Sequence, residues 1–355
     1  MKIAVITDLH FGCRGDSLIF LDNQEKFYSE IFFPTIDELG ITTVLNLGDT
    51  FDRRKYVNYV TLDRARTMFF DQLASRNIDY HAIVGNHDTS YKNTNDINAI
   101  TLLLREYPNF KMYTSDPVLL TFGSSKIMMV PWLTKENEEA SLRYIDKVEA
   151  DVLAGHFDIV GFEMMRGSIC DHGLDRRVFD KFETVWSGHF HHPSKHANIE
   201  YLGAPYEMTW TDHNGTRGFH IFDTETRTLT RVHNPYRMFN KITYHDADLT
   251  IEEINDLDPS PLKGTYVKIV VAAKTNPYLF ELFVNKIQAA DPVDVKIVED
   301  NFNLENLSEE EIIDEAMGTR EAFFDYIDNV LPDSVGDKEA IKKLMDELYV
   351  EALNL

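Results

Sequence analysis

Cysteine is nearly absent: Cys13 and Cys170 are the only two in 355 residues, far apart and in no C-x-x-C arrangement. That excludes a disulfide framework and a structural zinc cage, and makes a reducing compartment the expected one. Long apolar runs are missing as well. The opening MKIAVITDLH carries one lysine, but Asp8 and His10 interrupt its apolar stretch, so it is no secretory signal. No later segment reaches the ~18 uninterrupted apolar residues that a membrane helix needs. A cytoplasmic protein with no membrane partner is the expectation. Positive charge is scarce, with 35 Lys and Arg against 59 Asp and Glu, a net of −24. Such a chain does not hold nucleic acid by its overall field, so any polyanion contact has to be local. The deficit is uneven: residues 1–240 carry 25 basic and 33 acidic side chains, and 241–355 carry 10 and 26. A solvated face accounts for the Glu309–Glu311 run. There is no low-complexity tract and no repeat of fixed period.

What is present is a globular composition, long enough for two or three buried cores. The first third alternates strand and helix: Lys2 to Thr7, a helical pattern from Asn23 to Leu39, Thr43 to Leu47, helix Val57 to Arg76, and Tyr80 to Val84. This βαβαβ order predicts a mostly parallel sheet whose functional loops leave the carboxyl ends of the strands. Further strands are expected at 118–122, 126–130, 151–154, 184–186, 199–202, 218–222 and 228–232, which makes two sheets packed face to face. Asn234-Pro235 marks a break. Residues 235–300 read as a small α/β domain, and 301–355 as a linker and helical hairpin stopped and restarted at Pro332.

Five short motifs stand at strand ends: Asp8-Leu9-His10, Gly48-Asp49, Gly85-Asn86-His87-Asp88, Gly155-His156 and Gly188-His189-Phe190-His191. Each alone is weak. Together they supply carboxylate, imidazole and amide donors, each after an apolar strand and most beside a glycine that lets the backbone approach closely. The donors are borderline-hard, with no thiolate, and suit manganese, iron or zinc. Asp8, His10, Asp49, Asn86, His156, His189 and His191 are too many for one centre that keeps room for water. A bridging Asp49 divides the other six between two ions ~3.5–4 Å apart, the spacing used for displacement at phosphorus.

The order D-x-H, G-D, G-N-H-D, H, G-H-x-H resembles that of the calcineurin-like metallophosphoesterases. Within them the chain looks closest to the nuclease subunits of double-strand-break repair complexes, the SbcD and meiotic-recombination-eleven type, and to their shorter T-even-phage counterparts. The strings ITTVLNLGDTFDRRK, IVGNHD, VWSGHFH and RGFHIFDTET carry the likeness, strongly through Val232 and more weakly beyond. The resemblance implies an α/β fold, a two-sheet β-sandwich flanked by helices, with a capping domain over 235–300. It implies two divalent cations, manganese foremost, with magnesium, iron and zinc admissible. Asp8, His10, Asp49 and His191 would hold one; Asp49, Asn86, His156 and His189 the other. His87 would face the scissile phosphate as the catalytic residue, stabilising or protonating the leaving oxygen. DNA would be the substrate, an SbcC-like coiled-coil ABC ATPase the partner of the terminal hairpin, and a homodimer the assembly.

Asp52 departs from the pattern, because cellular members usually carry histidine there. Its carboxylate is expected to orient His87. GDTFDRR also resembles the G-D-x-x-D-R string of protein phosphatases, which keeps a phosphomonoesterase or cyclic-nucleotide phosphodiesterase open beside the nuclease; a DNA-end scaffold with a dispensable metal site is a third reading. Arg53-Arg54-Lys55 is either a local DNA-backbone contact or an exposed helix entry. His172, His192, His196, His213 and His220 read as structural or surface residues. Trp132, Trp186 and Trp210 read as core or loop anchors rather than base-stacking platforms. Val60, Met68 and the Leu102-Leu103-Leu104 run are the expected dimer face.

Overall fold

The computed structural model describes residues 1–165, 168–247 and 249–299, together with 327, 338, 341 and 342. Met1–Val298 forms one compact unit and Glu299–Leu355 another. The expected helical hairpin falls in the second, outside the described residues save those four.

Two six-stranded sheets form the centre of the first unit. Across the first sheet the order is Thr228–His233, Gly218–Asp223, Lys2–Ile6, Thr43–Asn46, Asp79–Ile83 and Phe110–Tyr113. Its last four strands run parallel, and Gly218–Asp223 closes the other flank antiparallel to Lys2–Ile6. In the second sheet the order is Ser194–His196, Ile199–Tyr201, Thr184–Gly188, Val152–His156, Ser125–Val130 and Val118–Phe122, with the inner four parallel.

Side-chain alternation turns these sheets into a layered sandwich. Ile3, Val5, Leu45 and Ile83 face Ile127, Met129, Val152 and Trp186 in the core between the sheets. Ala4, Ile6, Val44 and Ala82 point outward, under helices contributing Phe27, Phe32, Phe69 and Leu73. On the far side, Met128, Leu153 and Val185 lie beneath Ile145 of helix Glu138–Lys147.

The two long helices predicted over 23–39 and 57–76 are each interrupted in the middle. Leu18–Phe27 passes through a π-turn, Tyr28–Phe32, into Phe33–Glu38; Tyr59–Ala65 passes through another, Arg66–Phe70, into Asp71–Ser75. In the first case the cause is legible: Pro34 has no N–H to bond the Glu30 carbonyl, and Phe33 N–H reaches back five residues to Tyr28. The extra residue swings Tyr28 and Phe32 onto the ring of Phe69, with centroids 4.7 and 5.6 Å away. Met68, expected on a free face, is instead 5% exposed, and Leu104 is fully buried.

A three-stranded sheet, Phe239–His245, Tyr266–Ala273 and Asp294–Glu299, carries helices Ile251–Asp256 and Pro277–Gln288 over its own core of Tyr244, Ile269, Phe280 and Phe283. It is fastened to the larger sandwich. The fully buried Glu207 carboxylate accepts hydrogen bonds from Met238 N (2.7 Å) and Phe239 N (3.0 Å), and Phe239 packs on Trp210 at 4.9 Å.

Phe69 also touches Phe11, the residue after His10, at 6.0 Å. Phe69→Ala is expected to cost about 3–5 kcal/mol of stability, the range for a large buried aromatic. Urea unfolding measures it, and a loss under ~1 kcal/mol contradicts this account of the helix layer.

Candidate functional site

Both sheets deliver their loops to one edge. Asp8 and His10 follow Lys2–Ile6, Asp49 follows Thr43–Asn46, and Asn86 and His87 follow Asp79–Ile83; from the second sheet, His156 ends Val152–His156 and His189 follows Thr184–Gly188. The loops are bonded to one another through Asp8 N to Gly48 O (3.1 Å) and His10 N to Asp49 O (3.0 Å).

The backbone here is bent into the left-handed region at non-glycine residues: φ is 54° at Asp8, 42° at His10, 52° at Asp49 and 87° at His189. Such conformations cost of order 1 kcal/mol or more each and persist where surrounding packing dictates them. Two glycines make the crowding possible. A Cβ on Gly85 would lie 2.2 Å from Asp49 Oδ1, and one on Gly188 would lie 2.0 Å from Thr7 Oγ1.

All seven expected donors and His87 converge. Donor atoms of Asp8, His10 and His191 lie within 4.8 Å of one another, as do those of Asp49, His156 and His189, and those of His10, Asp49 and His87. Asn86 Oδ1 is 2.9 Å from His156 Nε2. Asp49 lies between the two groups, with Oδ2 3.6 Å from His10 Nε2 and 3.2 Å from His156 Nε2, while Oδ1 accepts from His87 N at 2.8 Å.

The electrostatics are those of a site built around positive charge. Burial disfavours the imidazolium of His10, yet Asp52, Asp49 and Asp8 outweigh it and push its pKa up to about 9. His156 rises to about 9 against the same burial penalty, through Asp49 and Asp8. Burial likewise opposes charge on Asp49, but His156, His87 and His10 hold it well below the usual carboxylate range. Burial and the charge on His10 push His191 down to about 4. Nε2 of His191 therefore faces Nε2 of His10 at 3.1 Å as a lone-pair donor.

The chemistry of these residues fits divalent metal ions. Asp8 Oδ2 is buried without a hydrogen-bond partner. His156 Nδ1 donates to Leu47 O (2.8 Å), which turns Nε2 to the cluster, and Asp158 takes His189 Nε2 at 2.8 Å, leaving Nδ1 free for a ligand. No thiol enters either group.

One expected contact differs. The Asp52 carboxylate sits 3.2 Å from His10 Nδ1, and His87 Nδ1 instead donates to the Asp52 backbone carbonyl at 2.6 Å. His87 is thus oriented by Asp52, but through its main chain. Burial lowers the His87 pKa below its ordinary value.

Several residues have supporting roles that the motifs do not announce. Asp88 accepts from Thr50 N, Phe51 N and Gly85 N, tying the Asp49 and Asn86 loops together, and burial with the Asp49 charge raises its pKa to about 7. Arg217, 2% exposed, donates to the His191 carbonyl and, at 2.9 Å, to Asp212 Oδ1. Arg54 turns toward the cluster: burial lowers its pKa, Asp49 opposes that, and its Nη1 is buried without a hydrogen-bond partner. Of the tryptophans, Trp186 is fully buried and Trp210 packs on Phe239, while Trp132 is half-buried and packs against His156 and His189.

Residues 1–193 match the calcineurin-like phosphoesterase family, and a relative from Enterobacteria phage T4, "Exonuclease subunit 1", is 34% identical over 99% of both chains. This chain belongs to the calcineurin-like phosphoesterases. Its chemistry is metal-dependent hydrolysis of phosphate esters. Among solved structures, a novel archaeal phosphodiesterase is 13% identical, with a TM-score of 0.33 over 66% of this chain and 100% of that one. A dimetal phosphatase from Danio rerio is 11% identical, with a TM-score of 0.36 over 62% and 91%. Among the described residues of this calcineurin-like phosphoesterase, no helix is long and apolar enough to cross a membrane.

Proposed function

We propose that this chain is the nuclease subunit of a DNA repair and recombination complex, a two-metal deoxyribonuclease working with an ATPase in the cytoplasm of a phage-infected cell. The observation that carries the reading is Asp49 seated between two donor groups, with half-buried His87 beside them. The near full-length T4 relative, named as an exonuclease subunit, supports both the activity and the existence of a partner.

Asp8, His10, Asp49 and His191 would hold one ion, and Asp49, Asn86, His156 and His189 the other; bound there, divalent cations would supply neutralisation of charge at phosphorus and a more acidic water. His87 keeps Nδ1–H on the Asp52 carbonyl, which points Nε2 outward. An anionic phosphate beside that nitrogen favours its protonated form, and the proton passes to the leaving oxygen. The Asp52 carboxylate on His10 also suits a phosphomonoesterase, so monoester turnover is the control.

With manganese, the purified chain is expected to digest end-labelled duplex DNA, faster with its ATPase, and to leave phosphomonoesters nearly untouched. His87→Ala should lower kcat about 10²- to 10⁴-fold while still binding two ions. Undiminished cleavage by that variant, or a preference for monoesters, rejects the assignment.

Metal binding has a definite pH dependence. His10 and His156, both near 9, carry protons at pH 7 without metal, whereas a bound cation requires neutral imidazole. About two protons leave on loading at pH 7, and apparent affinity climbs with pH until about 9. Calorimetry in buffers of different ionisation enthalpy counts them, and proton-neutral binding contradicts the ligand set.

A symmetric dimer is supported by apolar side chains on two neighbouring helices. Tyr59 is 89% exposed, Val60 52% and Leu102 57%, and Arg66 bridges the helices to Leu103 O and Glu106. Light scattering should give twice the chain mass, and Leu102→Glu a monomer; a monomeric wild type removes the dimer.

A further inference from the structure

Three parallel strands of the second sheet reach the metal-ligand cluster side by side. Val152–His156 ends at His156, Thr184–Gly188 leads into His189, and Ser125–Val130, paired through Val130 and Gly155, leads through Pro131 into Trp132. In that register Trp132 falls level with His189, one residue beyond the level of His156. Its indole lies 5.8 Å from the His156 ring and 5.2 Å from the His189 ring. With Leu133, Leu174, Glu138 and Asp158 it lines an open pocket of about 330 Å³ that His156 also borders.

The backbone beneath this indole is held from three directions. Trp132 N donates to Val84 O at 2.8 Å, and its carbonyl accepts from Asn95 Nδ2 (2.8 Å) and Asn137 Nδ2 (3.1 Å), both from buried asparagines. A half-buried aromatic at the wall of an open pocket, on a fixed main chain, presents a flat apolar surface at little further cost in ordering. The charges around the pocket matter as much. Its acidic side chains, Asp158 and Glu138, repel a second phosphate, while carboxylates accept hydrogen bonds from the amino groups and ring N–H of a base. A flat apolar wall, acceptors beside it and a phosphate-handling centre alongside describe the needs of an unstacked nucleotide.

We propose that Trp132 and this pocket form a nucleobase subsite, in which the base of a nucleotide flanking the scissile phosphate leaves its stack and lies on the indole. The proposal rests on the nuclease reading for its substrate. It adds that the enzyme grips a base as well as a backbone, with little regard to sequence, since every base has a π-face.

Binding separates the subsite from the chemistry. In magnesium, calorimetry should show deoxyadenosine 5′-monophosphate binding about fivefold to a hundredfold more tightly than 2-deoxyribose 5-phosphate, which keeps the phosphate and lacks the base. Trp132→Leu should bring that ratio close to one, and Trp132→Phe, which keeps a ring, should preserve much of it. Equal affinities in the wild type, or an undiminished ratio in Trp132→Leu, overturn the subsite. Neither readout needs turnover: a protein that prefers the nucleotide yet digests no DNA keeps the subsite and loses the nuclease assignment.

Discussion

The architecture of this edge follows from one buried charge. The Asp49 carboxylate is 1% exposed, and a carboxylate removed from water must be matched from inside the protein. Nothing on its own strand can do so. The compensation arrives from His10, from the His87 backbone and from His156 on the opposite sheet. A pair of sheets whose parallel strands end at a common edge brings those groups within reach, and Gly85 is the only kind of residue that fits against Asp49 at that range.

Strain at the ligands and rigidity around them are two sides of one arrangement. Asp8, His10, Asp49 and His189 all hold left-handed backbone, which a loose loop would relax. They are pinned from behind: Asp88 spans two loops with three backbone hydrogen bonds, Arg217 holds the His191 carbonyl, and Asp158 sets the ring of His189. Arg217 is itself tied to Asp212, so removing either member would leave the other charge buried and unmatched.

The donors were readable in the linear sequence because each obeys a local rule: an apolar strand, a sharp turn, a titratable side chain. Asp8, Asp49 and His156 need nothing more to be noticed. Arg217 lies 26 residues beyond the histidine it supports; it opens the string RGFHIFDTET, but nothing in that string pairs it with His191, so only the folded chain reveals the contact. Asp52 shows a different limit. Its neighbourhood to His87 was legible, but whether the carboxylate or the carbonyl makes the contact depends on a rotamer that spacing does not encode. Met68 was misplaced because a π-turn advances the helical phase, and in that helix no proline announces it. Trp132 follows an apolar strand like the candidate ligands do, but its packing against two of their rings is not encoded in spacing.

Lys2–Ile6 lies in the interior of the first sheet, bonded on one side to Thr43–Asn46 and on the other to Gly218–Asp223. This strand thus waits for a neighbour more than two hundred residues behind it, a delay of about 10–45 s at ordinary elongation rates. Until then the sheet has an open flank, and neither His191 nor its Arg217 support is yet in place. Assembly of the hydrolytic centre is consequently a late event in biosynthesis, and a truncated translation product carries only the N-terminal half of the ligand set.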